Sequence, residues 1–263
     1  MTPIKVLVNG VMGKMGQEVL KTLCAENDLV PFGGADILVK DDSIVLPDNS
    51  GSMPVSASLE GVISSADVVV DFSNADGALS VIRTASANKV NVVIGSTGLN
   101  DDQVKEAESL ARENQICIII APNFAVGAVL MTYVAGLVSR FFDYADLTEM
   151  HHEAKIDAPS GTALSIAKAV INGKNGEFIS PKAEKELVSG TRGGTLDGVS
   201  IHSVRMPGLV AHHELVFGAN GQTLTIRHDS INRESFMPGV VLAVRRAIGH
   251  PGLIVGLDQI MGL

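Results

Sequence analysis

Through the first 122 residues, short apolar runs alternate with amphipathic stretches. The runs Ile4 to Val8, Leu29 to Phe32, Val68 to Phe72, Val90 to Ile94 and Ile116 to Ile120 have the length and β-branched content of buried strands. Between them, residues 13–26, 76–87 and 101–114 carry apolar positions at helical spacing. Strands alternating with helices predict right-handed βαβ units and a doubly wound parallel sheet. Residues 38–61 are polar and rich in Ser, Asp and Gly, which predicts a long connection or irregular insertion.

The pattern changes after residue 142. Ala145 to His151 reads as a strand, Thr162 to Asn172 as a helix, and the segment beyond as an antiparallel meander. Its strongest signal is Asn220-Gly221 between Leu209 to Phe217 and Gln222 to Ile231, because a two-residue Asn-Gly loop supplies the positive φ angles of a type I′ hairpin. Gly239 to Gly249 returns to helical spacing. The predicted fold is α/β: a doubly wound parallel sheet in residues 1–122 plus 233–263, and an α+β domain on a mostly antiparallel sheet in residues 123–232.

Composition narrows the function classes. At 263 residues with 46% hydrophobic and 19% charged positions, the chain reads as globular and long enough for one large or two modest domains. A formal charge of −9 argues against nucleic acid as a general partner, so any anionic ligand needs a locally basic site. Cys24 and Cys117 form no metal-ligand cluster, and no leader pattern opens the sequence, which together predict a cytoplasmic protein. Residues 114–139 carry no formal charge, but Pro122 and Asn123 divide them into a short strand and a helix of about 16 residues. Such a helix, roughly 24 Å long, is too short to span a bilayer, and no membrane association is expected.

Three motifs carry candidate chemistry. The first, Val8-Asn9-Gly10-Val11-Met12-Gly13-Lys14-Met15-Gly16, follows the first strand, where glycines let the backbone approach a pyrophosphate held by free amides at a helix start. The glycines run G-x-x-G-x-x-G, and Met12 fills the second slot of the commoner fingerprint. Gly10, Lys14, Met15 and Gly16 are therefore candidate dinucleotide contacts. Asp36, twenty residues past Gly16, is placed to accept hydrogen bonds from ribose hydroxyls and to repel a 2′-phosphate. Ile37 supplies no neutralising arginine, so the reading leans towards NADH over NADPH. The second motif, Gly95-Ser96-Thr97-Gly98, closes the fourth strand and reads either as a nicotinamide contact or as a plain turn. Ala121-Pro122-Asn123-Phe124 has the same two readings, and Phe72 ends the strand between these sites.

The third motif is His151-His152-Glu153-Ala154-Lys155-Ile156-Asp157-Ala158-Pro159-Ser160-Gly161-Thr162-Ala163. Two imidazoles, an ammonium and a Ser-Gly-Thr helix start within thirteen residues can converge on an anion. Metal binding is not expected, since adjacent histidines on a strand point to opposite faces and no H-E-x-x-H pair occurs.

With these motifs in order, the chain resembles the 4-hydroxy-tetrahydrodipicolinate reductase, or dihydrodipicolinate reductase, family of the lysine and diaminopimelate pathway. The likeness covers nearly the whole length through VNGVMGKMG at 8–16, VDFS at 70–73, GSTG at 95–98, APNFAVG at 121–127, HHEAKIDAPSGTA at 151–163 and RHDSINRESF at 227–236. The histidine-lysine block is the specific part. The resemblance implies a Rossmann-type domain for NAD(P)H and a central α+β domain for a dicarboxylate substrate, hinged to close over it. It implies His151 as proton donor, Lys155 as catalytic and substrate-binding cation, and His152, Ser160, Gly161 and Thr162 as substrate contacts. Phe72, Gly95, Ser96, Thr97, Ala121, Asn123 and Phe124 fall with the cofactor site, and the family implies a homotetramer joined through its central sheets. Met12, Ile37 and Ala125 depart from its usual glycine, arginine and serine.

The expected reaction is hydride transfer from NAD(P)H to a cyclic, unsaturated dicarboxylate. Lys155 and the imidazoles would stabilise the developing negative charge while His151 acts as general acid. The alternatives are a two-domain dehydrogenase for a semialdehyde or sugar, and a non-catalytic NAD-sensing regulator.

Overall fold

The computed structural model of the chain describes residues 2–96 and 98–263, with the side chains of residues 75 and 76 left aside. The chain divides into two compact units, Met1–Phe124 with Phe236–Leu263, and Ala125–Ser235.

The elements of the first unit begin with β1 (Ile4–Asn9), α1 (Lys14–Ala25), β2 (Leu29–Ala35), β3 (Ser43–Val45), β4 (Ser52–Ser56) and β5 (Val68–Asp71). They continue with α2 (Ala75–Ala87), β6 (Asn91–Ile94), α3 (Asp101–Asn114) and β7 (Cys117–Ile120). In the second unit α4 (Val126–Val138), β8 (Tyr144–His151), α5 (Gly161–Gly173), β9 (Gly194–Leu196), β10 (Val199–Arg205), β11 (Ala211–Ala219) and β12 (Gln222–Ser230) follow. The chain then returns to the first unit with α6 (Met237–Ala247), β13 (Gly252–Val255) and α7 (Leu257–Met261).

The first sheet has the order β13-β7-β6-β5-β1-β2-β4-β3. Every residue of β5 and β7 is buried, as expected of central strands covered on both faces. α1 meets the sheet through Gly16, Val19, Leu20 and Leu23, a stripe at i, i+3, i+4 and i+7. A capping box between Asn100 and Gln103 starts α3, and Asp101 and Asp102 complement its N-terminal dipole. Strand order reverses at β1, with β2 on one side and β5 on the other, so the carboxyl ends of β1 and β5 flank the crevice where ligands bind in such sheets.

Two expectations need correction. Residues 38–61 are not a plain connection: β4 pairs parallel to β2 and β3 pairs antiparallel to β4, which makes the sheet mixed. Met53 and Val55 alternate inward while Pro54 sits between them and masks the strand signal. The second sheet, ordered β12-β11-β8-β10-β9, is not a meander, because β8 and β10 are parallel neighbours. The α5 crossover allows that pairing. The hairpin predicted at Asn220-Gly221 forms, with Ala219 opposite Gln222 and Gly221 at φ +74. The core of the second unit packs Met131, Ile166, Ala167 and Val170 of α4 and α5 against Leu147, Leu215 and Phe217 of the sheet. Among the described residues no helix is long and apolar enough to cross a membrane.

Candidate functional site

Each unit carries one cluster of candidate residues. In the first, β1 ends at Asn9 and the chain turns at Gly10, whose φ of +76 favours glycine. The amides of Gly10 and Val11 both donate to Ala35 O, at 2.8 and 3.3 Å. A Cβ at residue 16 would lie 2.2 Å from Gly10 O, so only glycine lets α1 start against this turn. The first turn of α1 has neither a side-chain cap nor an acidic residue. Its amides are therefore those of a helix start suited to an anion, with Lys14 exposed and Met15 half-buried beside them. Asp36 follows β2, and its two carboxylate oxygens accept the amides of Met12 and Leu38, both at 2.9 Å. This donor and acceptor set fits the pyrophosphate and ribose of a dinucleotide.

A polar knot lies under the crevice. Asp71, fully buried at the end of β5, accepts hydrogen bonds from Asn9 Nδ2 at 2.7 Å, Ser96 Oγ at 2.8 Å and the Ser73 amide at 3.3 Å. The Ser96 hydroxyl thus donates into the protein. Phe72 packs edge-to-face on the buried Phe124, with centroids 5.5 Å apart at 61°. A Cβ at residue 95 would come within 2.1 Å of the Phe72 ring, so Gly95 makes room for it. Ala121 is buried, with its amide donating to Ile94 O at 3.1 Å, and Asn123 is half-buried. Thr97 lies outside the described residues. Sequence reasoning missed Asn9 and Asp71, although a carboxylate closing the apolar run Val68-Val69-Val70 was a legible signal.

The second cluster is built on β8. Its alternation turns Ala145, Leu147, Glu149 and His151 inward and leaves the residues between them more exposed. Glu149, fully buried, receives a bidentate pair from Arg205, with Nη1 2.9 Å from Oε2 and Nη2 2.7 Å from Oε1. His151 Nδ1 lies 2.5 Å from Glu149 Oε2, and the Ser160 amide donates to Oε1 at 3.3 Å. Register explains the meeting: Arg205 stands opposite His151 on β10, and His213 opposite Glu149 on β11. The His213 ring stands edge-on to His151 at 5.5 Å, and its Nε2 is 3.3 Å from Ser160 Oγ. Ser160 is buried and accepts the Ala163 amide at 3.1 Å, capping α5.

Charges follow this packing. Burial raises the Glu149 carboxyl, but the hydrogen bonds led by Arg205 outweigh it and hold the group below its ordinary value. Burial lowers His151, and Lys155 and Arg205 add to that, against an upward pull from Glu149. Burial chiefly drives His213 down to about 4, which keeps that ring neutral. Lys155 Nζ pairs with Asp157 Oδ1 at 2.7 Å, so the expected cation has an internal counter-ion. His152 is exposed. Gly161 opens α5, and a Cβ there would meet nothing within 4 Å, so protein packing alone does not require glycine. Thr162 follows it, half-buried. Sequence reasoning missed Glu149, Arg205 and His213; an acid two residues before a histidine on a buried strand face was the available sign. Among the described residues no group of His, Cys, Asp and Glu is placed to hold a metal ion.

Known proteins agree with this architecture. Residues 4–124 match the family model described as dihydrodipicolinate reductase, N-terminus, and residues 127–261 match the one described as dihydrodipicolinate reductase, C-terminus. A 4-hydroxy-tetrahydrodipicolinate reductase from Dehalococcoides mccartyi is 51% identical over 265 aligned residues, covering 100% of both chains. The enzyme of that name from Synechococcus elongatus is 42% identical, covering 98% of this chain and 99% of its own. Among solved structures, the dipicolinate-bound dihydrodipicolinate reductase from Paenisporosarcina sp. TG-14 superposes with a TM-score of 0.86 at 37% identity, covering 98% of this chain and 99% of its own. With the first unit a nucleotide-binding fold and both halves matched over their length, the chain belongs to the dihydrodipicolinate reductase family.

Proposed function

We propose that the chain reduces 4-hydroxy-tetrahydrodipicolinate to tetrahydrodipicolinate with a reduced nicotinamide dinucleotide, in lysine and diaminopimelate biosynthesis in the cytoplasm. The observation that carries this reading is the single strand-loop-helix segment joining the buried His151, Lys155 and the start of α5 at Gly161. A dicarboxylate ligand is supported by the similar structure that holds dipicolinate.

The net change is loss of a hydroxyl as water and gain of one hydride and one proton. When bound, the nicotinamide supplies the hydride. His151 delivers the proton to the ring atom beside the reduced carbon, and Lys155 moves from Asp157 to stabilise the charge that develops there. The amides of Gly161 and Thr162, with His152, hold a substrate carboxylate, while Ser160 sets the helix start through its cap. Gly10, Lys14, Met15 and Gly16 hold the pyrophosphate and Asp36 a ribose. Phe72, Gly95, Ser96, Thr97, Ala121, Asn123 and Phe124 form the nicotinamide end. Asp36 followed by Ile37 favours NADH. The open face of the second sheet supports a homotetramer, which sedimentation equilibrium tests by its limiting mass.

Turnover of the aldol product of pyruvate and aspartate semialdehyde, followed by loss of NADH absorbance, tests the activity. His151→Ala and Lys155→Ala are each expected to lose roughly 10² to 10⁴ in kcat while NADH still binds. Unchanged turnover in both variants refutes the assignment.

A further inference from the structure

We propose that Glu149 is a positioning residue for this reaction: its buried carboxylate fixes the His151 ring through Nδ1 and ties it to Arg205 and to the start of α5, leaving Nε2 as the nitrogen that exchanges a proton with the ligand. The proposal rests on the reading of His151 as proton donor.

Three observations support it. First, Glu149 has no exposed surface, yet both its oxygens are engaged, Oε2 by His151 Nδ1 and Arg205 Nη1, Oε1 by Arg205 Nη2 and the Ser160 amide. A bidentate arginine alone would compensate the charge, so the imidazole contact is additional to what burial requires. Second, the partners come from separate places: Arg205 from β10, which also donates to Asp157 O at 2.7 Å, and Ser160 from the cap of α5. One carboxylate therefore joins the proposed acid to the helix start proposed to hold substrate, and a shift of one moves the other. Third, an ionised Glu149 accepts from Nδ1–H, which fixes the tautomer in the neutral ring and stabilises the imidazolium when Nε2 is protonated.

The charged and titratable groups facing His151 are Glu149 on its own strand, Arg205 on β10, His213 on β11 and Lys155 in the following loop. Glu149 favours the imidazolium, Arg205 and Lys155 oppose it, and His213 stays neutral near pH 7. Opposite shifts follow for opposite charges, and a positioning role carries them into the pH profile of kcat, which a merely structural role does not.

The test is a histidine NMR titration of the full chain, with His151→Asn assigning the signal, alongside the pH profile of kcat. In Glu149→Gln the His151 midpoint is expected at lower pH, and in Arg205→Gln at higher pH. The alkaline limb of kcat should move in the same direction as each midpoint, because the imidazolium is the acid. Each single change leaves a buried group without its partner, so Glu149→Gln/Arg205→Met removes both charges at similar volume. It is expected to shift the midpoint down by less than Glu149→Gln alone. A midpoint that stays in place in folded Glu149→Gln overturns the proposal, as does an upward shift in the double variant or a uniform loss of kcat at all pH values with no shift. Failure of the unaltered chain to turn over the aldol product would instead remove the reductase reading, while the NMR shifts still report on the Glu149 to His151 tie.

Discussion

The polar groups that matter most are the ones the fold hides. Glu149, His151, Ser160 and His213 are each less than a tenth exposed, so each depends on a named partner. His213 has a consequence for stability. The unfolded chain takes up a proton at this residue below its ordinary 6.5, whereas the folded chain does so only below about 4. Between these values the unfolded state holds more protons, and stability falls as the pH falls. The contribution is on the order of 3 kcal/mol over that window. Chemical denaturation at a series of pH values should therefore show a flatter acid loss in His213→Gln than in the unaltered chain. Equal slopes for the two proteins would contradict it. None of this was visible in His212-His213 as a dipeptide, because neighbouring histidines look alike until strand register buries one and leaves the other half-exposed.

At the scale of elements, period-two alternation on β8 and 3.6-residue spacing on α1 and α5 were readable because each element buries one face. The stretch containing β3 and β4 was not, since these strands are short, polar and interrupted by Pro54. The β2 end and the start of α1 lead to a cofactor prediction. Ile37 is 86% exposed beside Asp36, so an arginine there is accommodated without disturbing packing. Ile37→Arg should lower the KM for NADPH relative to that for NADH by roughly tenfold, the scale of about one charge-assisted hydrogen bond to a phosphate. Steady-state kinetics with both cofactors checks this, and an unchanged ratio would place the 2′-phosphate discrimination elsewhere.

The whole molecule depends on a return of the chain that local pattern barely signals. β13 joins the first sheet beside β7, in parallel, and α6 buries Met237, Val240, Val241, Ala243, Val244 and Ala247. At about 1.5 to 3 kcal/mol for each large apolar side chain, this burial is on the order of 10 kcal/mol, comparable to the net stability of a domain. Ending the chain after Ser235 should therefore abolish the cooperative thermal transition of the first unit, as circular dichroism would show, and a retained transition would mean that the sheet does not need this segment. The sequence by itself determined the elements with a clear period, the glycine turn after β1, the Asn-Gly hairpin and the histidine-lysine block, because each is written in neighbouring residues. Only the tertiary structure decided that Glu149 lies between Arg205 and His151, that Asp71 gathers Asn9 and Ser96, and that β13 takes the sheet edge beside β7. Those outcomes come from strand order and register, which bring together residues too far apart in sequence for any local pattern to link them.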